Sequence, residues 1–168
     1  MQKHTHPLIA VLLAVLLASA SAFTWAHGDA THAKAAGPAK MEQKAWGIAG
    51  NPKKVNRTIT VTMTDAMRFD PSQITVKQGE TIKFAIKNSG GMLHEMVIGT
   101  AQDLDEHAAL MVKFPNMEHD EPYMAHVGPG KTSEIVWNFN RPGSFDFACL
   151  IAGHYQAGMR GKITVAAK

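Results

Sequence analysis

The sequence holds one cysteine, Cys149, within the run F-A-C-L-I-A-G-H-Y-Q-A-G-M-R-G from Phe147 to Gly161. Four residues separate Cys149 from His154, and four more separate His154 from Met159. A thiolate, an imidazole and a thioether on one short loop make a ligand set suited to copper. Soft sulfur favours Cu(I), imidazole serves both oxidation states, and a distant thioether is a weak axial donor. The competing reading is plain packing, because a lone cysteine is usually a small buried apolar residue and methionine a gap-filler. Three features tell against it: the order and spacing of the residues, the glycines beside His154 and Met159, and the strand-like run Ser144–Cys149 leading into the loop. The set lacks a second imidazole, which has to come from elsewhere in the fold.

Residues 1–26 read as a secretory signal. Lys3 gives a weakly basic start, Leu8–Ala18 is an apolar run short for a membrane span, and small residues follow, with Ala20-Ser21-Ala22 and Thr24-Trp25-Ala26 as candidate cleavage sites and the second preferred. An uncleaved anchor is the alternative. Cleavage after Ala26 places the protein in a periplasm or equivalent space, without stable membrane insertion. An oxidising compartment favours paired cysteines, so a single thiol there is a liability unless it is buried or metal-bound. Removing the signal takes away one of the 17 Lys and Arg and none of the 14 Asp and Glu, so the formal charge falls from +3 to +2. That balance, with no basic cluster carrying interleaved aromatics, argues against a nucleic-acid partner.

The ligands need a scaffold, and the pattern that supplies one is β. Residues 27–56 are rich in Ala, Gly, Lys and His and predict a flexible arm, docked at Trp46 if anywhere. His27, Asp29 and His32 on that arm are weak copper donors or a solvated tail. From Arg57, Thr58–Met63 alternates polar and apolar residues with period two, as do Thr81–Asn88 and Thr132–Phe139. Ser72–Lys77, Leu93–Ile98, Ser144–Cys149 and Lys162–Val165 add further short strands, and Met67–Pro71 reads as a turn. Ala101–Val112 is the one helix, with Leu104, Ala108 and Met111 at helical spacing, and Phe114–Gly130 reads as loop. The expectation is an all-β Greek-key β-sandwich over residues 57–168, with one short helix.

His94 is the best second imidazole. It opens a strand after the Gly90-Gly91 break, in an apolar context, and shares one strand face with Met96 and Ile98. A hydrogen-bonded core histidine is the alternative, but it leaves the ligand set one short. With these residues in view, the region from Arg57 to Ala166 resembles a cupredoxin. The resemblance rests on M-R-F-D-P-S-Q-I-T-V-K-Q-G-E-T-I-K-F, N-S-G-G-M-L-H-E-M-V-I, P-G-K-T and F-A-C-L-I-A-G-H-Y-Q-A-G-M-R-G-K-I-T-V, about two thirds of the chain. It implies a type 1 copper with His94, Cys149 and His154 as strong ligands and Met159 as the weak axial one. Glu95 stands where the plastocyanin and azurin branches carry Asn. Its backbone N–H can still reach the sulfur, and its side chain either faces outward or approaches the metal, without being counted among the ligands.

Two uses of the copper compete. Nine of the ten methionines and seven of the nine histidines lie beyond residue 26, and Met117, His119, Met124 and His126 repeat a Met-x-His pattern. Such donors suit copper at an exposed surface, as a secondary site, and a minimal electron carrier has no need of them. Ordinary packing of a loop is the alternative. With the His-containing arm, this composition is similar to the copper-tolerance cupredoxins of the periplasm. The expected function is therefore copper handling, with a plastocyanin- or azurin-like electron carrier and its redox partner protein as the second reading. Enzymes of related fold, the copper nitrite reductases and multicopper oxidases, need a further domain and His-x-His pairs. Residues 27–168 show neither, so no catalytic activity is expected.

Overall fold

The computed structural model describes residues 42–115, 117 and 119–168. The signal segment 1–26 and the arm residues His27, Asp29 and His32 lie outside the described residues. Two five-stranded sheets face each other. The first runs in the order β1 (Ile48–Ala49), β8 (Thr132–Asn138), β5 (Thr81–Asn88), β2 (Arg57–Thr64) and β3 (Arg68–Asp70). The second runs β4 (Gln73–Lys77), β10 (Arg160–Ala166), β9 (Gly143–Ala148), β6 (His94–Gly99) and β7 (Met124–Val127). Among the described residues no helix is long and apolar enough to cross a membrane.

Alternation builds the core, because side chains two apart on a strand share a face. Ile82, Phe84 and Ile86 of β5 are fully buried, and β5 pairs with β8 so that Phe84 lies opposite Ile135 and Ile82 opposite Trp137. From the second sheet, Met96, Ile98, Phe147 and Ile163 fill the other half of the same core. The outer face of that sheet is covered by α1 (Ala101–Lys113), whose Leu104, Ala108 and Met111 pack with Val97, Met124, Ala148 and Leu150. Thr100 caps the helix, its hydroxyl accepting the Asp103 N–H at 3.2 Å.

Three stretches differ from the sequence expectation. The packed body starts upstream of Arg57: Trp46 is buried, its carbonyl accepts the Trp137 indole N–H at 2.9 Å, and Ile48–Ala49 pairs with β8. Few large apolar residues mark this stretch, so the pairing leaves little trace in the sequence. The segment read as loop after α1 contains β7, which pairs with β6 in register His94↔Val127 and Glu95↔His126. Met124 is buried under the helix and Ala125 and Val127 in the sandwich, while His126 stays exposed, so a single polar residue is all that marks the alternation. The Met67–Pro71 turn holds the short strand β3, reached through Met67 at φ 57°.

Candidate metal centre

The centre is assembled from the start of β6, the end of β9 and the loop joining β9 to β10. His94 begins β6 and points into the sandwich with Met96 and Ile98, as its place in the alternation predicts. Cys149 follows β9, and its N–H donates to the Met159 carbonyl at 3.1 Å, which closes the loop and sets Met159 beside the cysteine. Inside that loop His154 N–H donates to the Ile151 carbonyl at 2.9 Å, and Met159 N–H to the His154 carbonyl at 3.1 Å. Gly153 and Gly158 sit at φ 91° and 87°, where a Cβ is strained, and so let the chain turn tightly before each ligand-type residue.

The side chains converge. One ligand atom each from His94, Cys149 and His154 lies within 4.8 Å of the others. His154 Nδ1 is 3.3 Å from Cys149 Sγ, and the two imidazole rings are 4.9 Å apart centre to centre. His94, Cys149 and Met159 are fully buried, and His154 is half-buried.

His94 is held by Asp65, which is not among the candidate ligands. Its Nε2 lies 3.0 Å from Asp65 Oδ1, and the Asp65 carboxylate also accepts the N–H groups of Gly91 at 2.7 Å and Met92 at 3.3 Å. A Cβ on Gly90 would collide with that carboxylate, which accounts for the first glycine of the Gly-Gly break before β6. The Gly91 N–H first, then the His94 imidazole, hold the Asp65 carboxyl below its ordinary range. Because the carboxylate only accepts, Nε2 carries a proton, and in the neutral imidazole Nδ1 is then the bare lone pair. That Nδ1 is buried with no hydrogen-bond partner. An imidazole fixed by a carboxylate on one nitrogen and open on the other is the arrangement of a metal ligand.

Cys149 meets the same test. Burial pushes its thiol up from 9.0 to about 12, against the pull of the Glu95 N–H, which donates to Sγ at 3.4 Å. The site thus disfavours a bare thiolate yet offers a donor to one, and a cation supplies the missing charge. Burial, then the neighbouring His94, holds His154 below the usual imidazole range, so it is neutral at pH 7 and able to donate a lone pair. These residues fit a copper ion.

Glu95 does more than the sequence suggested. It is fully buried, on the outer face of β6, where Oε1 accepts the Leu150 N–H at 2.7 Å and Oε2 lies 2.8 Å from His126 Nε2. The expected Met/His cluster is only half assembled. His119 and His126 are neighbours, ring centres 5.9 Å apart, while Met117 is exposed and Met124 is buried in the apolar layer under α1. In place of the methionines stands His107 of α1, 4.5 Å from the His119 ring. Burial first, then His119, pushes His107 below the usual imidazole range. Its helical spacing from Leu104 and Met111, on the inward stripe, is the signal that could have revealed it.

Residues 55–166 match the family described as copper binding proteins, plastocyanin/azurin family. The chain is 44% identical to the copper-resistant cuproprotein CopI of Rubrivivax gelatinosus, over 92% of this chain and 97% of that protein. It is 31% identical to CopI of Pseudomonas aeruginosa over 95% of both chains, and 31% identical to a chloroplastic plastocyanin of Oryza sativa subsp. indica over 79% of this chain and 77% of that one. Among solved structures, reduced auracyanin from Roseiflexus castenholzii superposes with a TM-score of 0.58 at 24% identity, over 67% of this chain and 98% of that one, a likeness of fold. With the sandwich and the converging His, Cys and His side chains in place, the chain belongs to the plastocyanin/azurin family of copper-binding proteins.

Proposed function

We propose that the chain is an exported copper-tolerance protein that holds one type 1 copper between His94, Cys149 and His154, with Met159 as the weak axial donor. The observation that carries this reading is the pair of frustrated donors, the buried unpartnered His94 Nδ1 and the Cys149 thiol raised to about 12, whose charge and lone pair one cation satisfies together. Bound copper supplies a one-electron Cu(I)/Cu(II) couple.

The chain's own residues do the rest. Asp65 fixes the His94 tautomer and ring orientation. Glu95 N–H stabilises negative charge on the sulfur. The hydrogen bonds from Cys149 to Met159 and from Met159 to His154 hold the loop, so little of it rearranges when the charge at the site changes. Tyr155 ties the same loop to α1, its hydroxyl donating to Asp105 at 2.6 Å. The tolerance role is supported by the similarity to two copper-resistant CopI proteins over nearly their whole length. Export to the periplasm rests on the signal-like segment 1–26. The role is that of a binding protein, not of an enzyme.

The test is growth of a copper-sensitive, periplasm-bearing host on graded copper. The exported chain should raise tolerance, and Cys149→Ser should remove that gain. Equal tolerance with and without Cys149 would refute the reading. The second reading, an electron carrier, is favoured by the plastocyanin similarity. It predicts unchanged tolerance and rapid electron exchange with a partner protein.

A further inference from the structure

Among the described residues Glu95 is the only acidic side chain that is fully buried. It leaves β6 on the face that carries Val97, away from His94, and lies opposite His126 of β7 in the strand register. We propose that the Glu95 carboxylate is a positioning device for the thiolate centre: facing His126, it holds the chain just after Cys149, and its buried negative charge biases the centre toward the oxidised metal. This inference rests on the reading of His94, Cys149 and His154 as copper ligands.

Residue 95 has two holds on one place. Its N–H donates to Cys149 Sγ at 3.4 Å, and its Oε1 accepts the Leu150 N–H at 2.7 Å. The second contact fixes the peptide unit that joins Cys149 to Leu150. The peptide unit on the other side of Cys149 is fixed by its own N–H, which donates to the Met159 carbonyl at 3.1 Å. Both peptide units flanking the Cys149 Cα are therefore tied, and with them the direction in which Sγ leaves the chain.

The carboxylate is more than the Leu150 N–H requires. A neutral amide oxygen would accept that bond, and burying a charge is costly unless a partner stands close. Oε2 lies 2.8 Å from His126 Nε2, at ion-pair distance though not aligned for a hydrogen bond. The two partners are unequally wet, the His126 side chain being 40% exposed and that of Glu95 0%. Water screens the imidazole, whereas little screens the carboxylate from a centre built on the same strand. A fixed negative charge nearby opposes the arrival of an electron at the centre, and so favours Cu(II) over Cu(I).

The test compares the copper-loaded full chain with Glu95→Gln and Glu95→Ala at one fixed pH, by reduction potential and visible spectrum. Amide exchange at Leu150 is followed in the metal-free proteins. Glu95→Gln keeps an acceptor of the same length and deletes the charge. Its coloured band should stay in place while the preference for Cu(I) over Cu(II) rises about tenfold, which is about 59 mV for one electron. Glu95→Ala also deletes the acceptor, so the band should shift and the Leu150 amide should exchange at least roughly tenfold faster. In His126→Ala the same amide should exchange faster as well, and unchanged exchange there would remove His126 from the device. Equal potentials in Glu95→Gln and the parent would overturn the role of the charge. An unshifted band with unchanged Leu150 exchange in Glu95→Ala would overturn the positioning. Near-ultraviolet circular dichroism checks folding, and if Glu95→Ala unfolds, Glu95→Met, which fills the same space without an acceptor, decides. A parent with no coloured band would instead refute the copper reading itself, and the metal-free exchange at Leu150 would still decide whether Glu95 holds that chain.

Discussion

The raised Cys149 thiol makes copper binding a proton exchange. In the metal-free chain burial holds the thiol pKa at about 12, so the sulfur keeps its proton across the neutral range. Copper takes the thiolate, so one proton leaves for each copper bound. His154 is held below the usual imidazole range and contributes no proton near neutral pH. The apparent Cu(I) affinity should therefore rise about tenfold per pH unit, about 1.4 kcal/mol, or about a hundredfold between pH 7 and pH 9. Competition against a chelator of known proton affinity measures the slope, and calorimetry in buffers of different ionisation enthalpy counts the proton directly. The metal-free fold should show the same group in its stability. Folding raises the pKa from 9.0 to about 12, so the unfolded chain loses its proton first as pH climbs. Stability is then complete below pH 9 and falls as pH rises toward 12, by at most about 4 kcal/mol. In Cys149→Ser that component of the loss should be absent. A copper affinity that is flat from pH 7 to pH 9 would mean that the thiolate already exists in the metal-free protein, and the reasoning from burial would fail.

Asp65→Ala removes the acceptor on His94 Nε2, and copper affinity should fall roughly 10- to 100-fold with a shifted visible spectrum; an unchanged spectrum and affinity would remove Asp65 from the site. Trp46→Ala empties a buried position where the chain before Arg57 meets the sandwich, and denaturant unfolding should show a loss of about 3 kcal/mol. A negligible loss would make residues 42–56 an accessory to the fold. Tyr155→Phe deletes the tie from the ligand loop to Asp105 of α1 and should cost about 1–2 kcal/mol in the same assay while leaving the coloured band in place.

Much of this architecture was legible because the physics is local. The alternation in Thr81–Asn88 follows from one buried face, and the helix over 101–113 from Leu104, Ala108 and Met111 on one stripe. Cys149 and His154, whose side chains meet at 3.3 Å, were legible together because a tight loop puts both in one sequence window. His94 was legible through its strand and the glycines before it. Asp65 was not, since its role depends on contact with residues 26 and 29 positions away, made possible by the missing side chain of Gly90. β7 was hidden because it is short and Met124, under the helix, is as apolar as Ala125 and Val127 in the sandwich, leaving His126 as its one exposed polar position. The Met-x-His repeat suggested donors by proximity in sequence. Packing then sent Met124 into the apolar layer and brought in His107 from another element.

The most direct measurement is the visible absorption of the metal-free chain titrated with Cu(II), set against Cys149→Ser under identical conditions. A centre built on Cys149, His94 and His154 predicts one intense thiolate-to-copper band that saturates at one equivalent and is absent from the serine variant. A folded parent with no such band, or a band that survives in Cys149→Ser, would contradict the account.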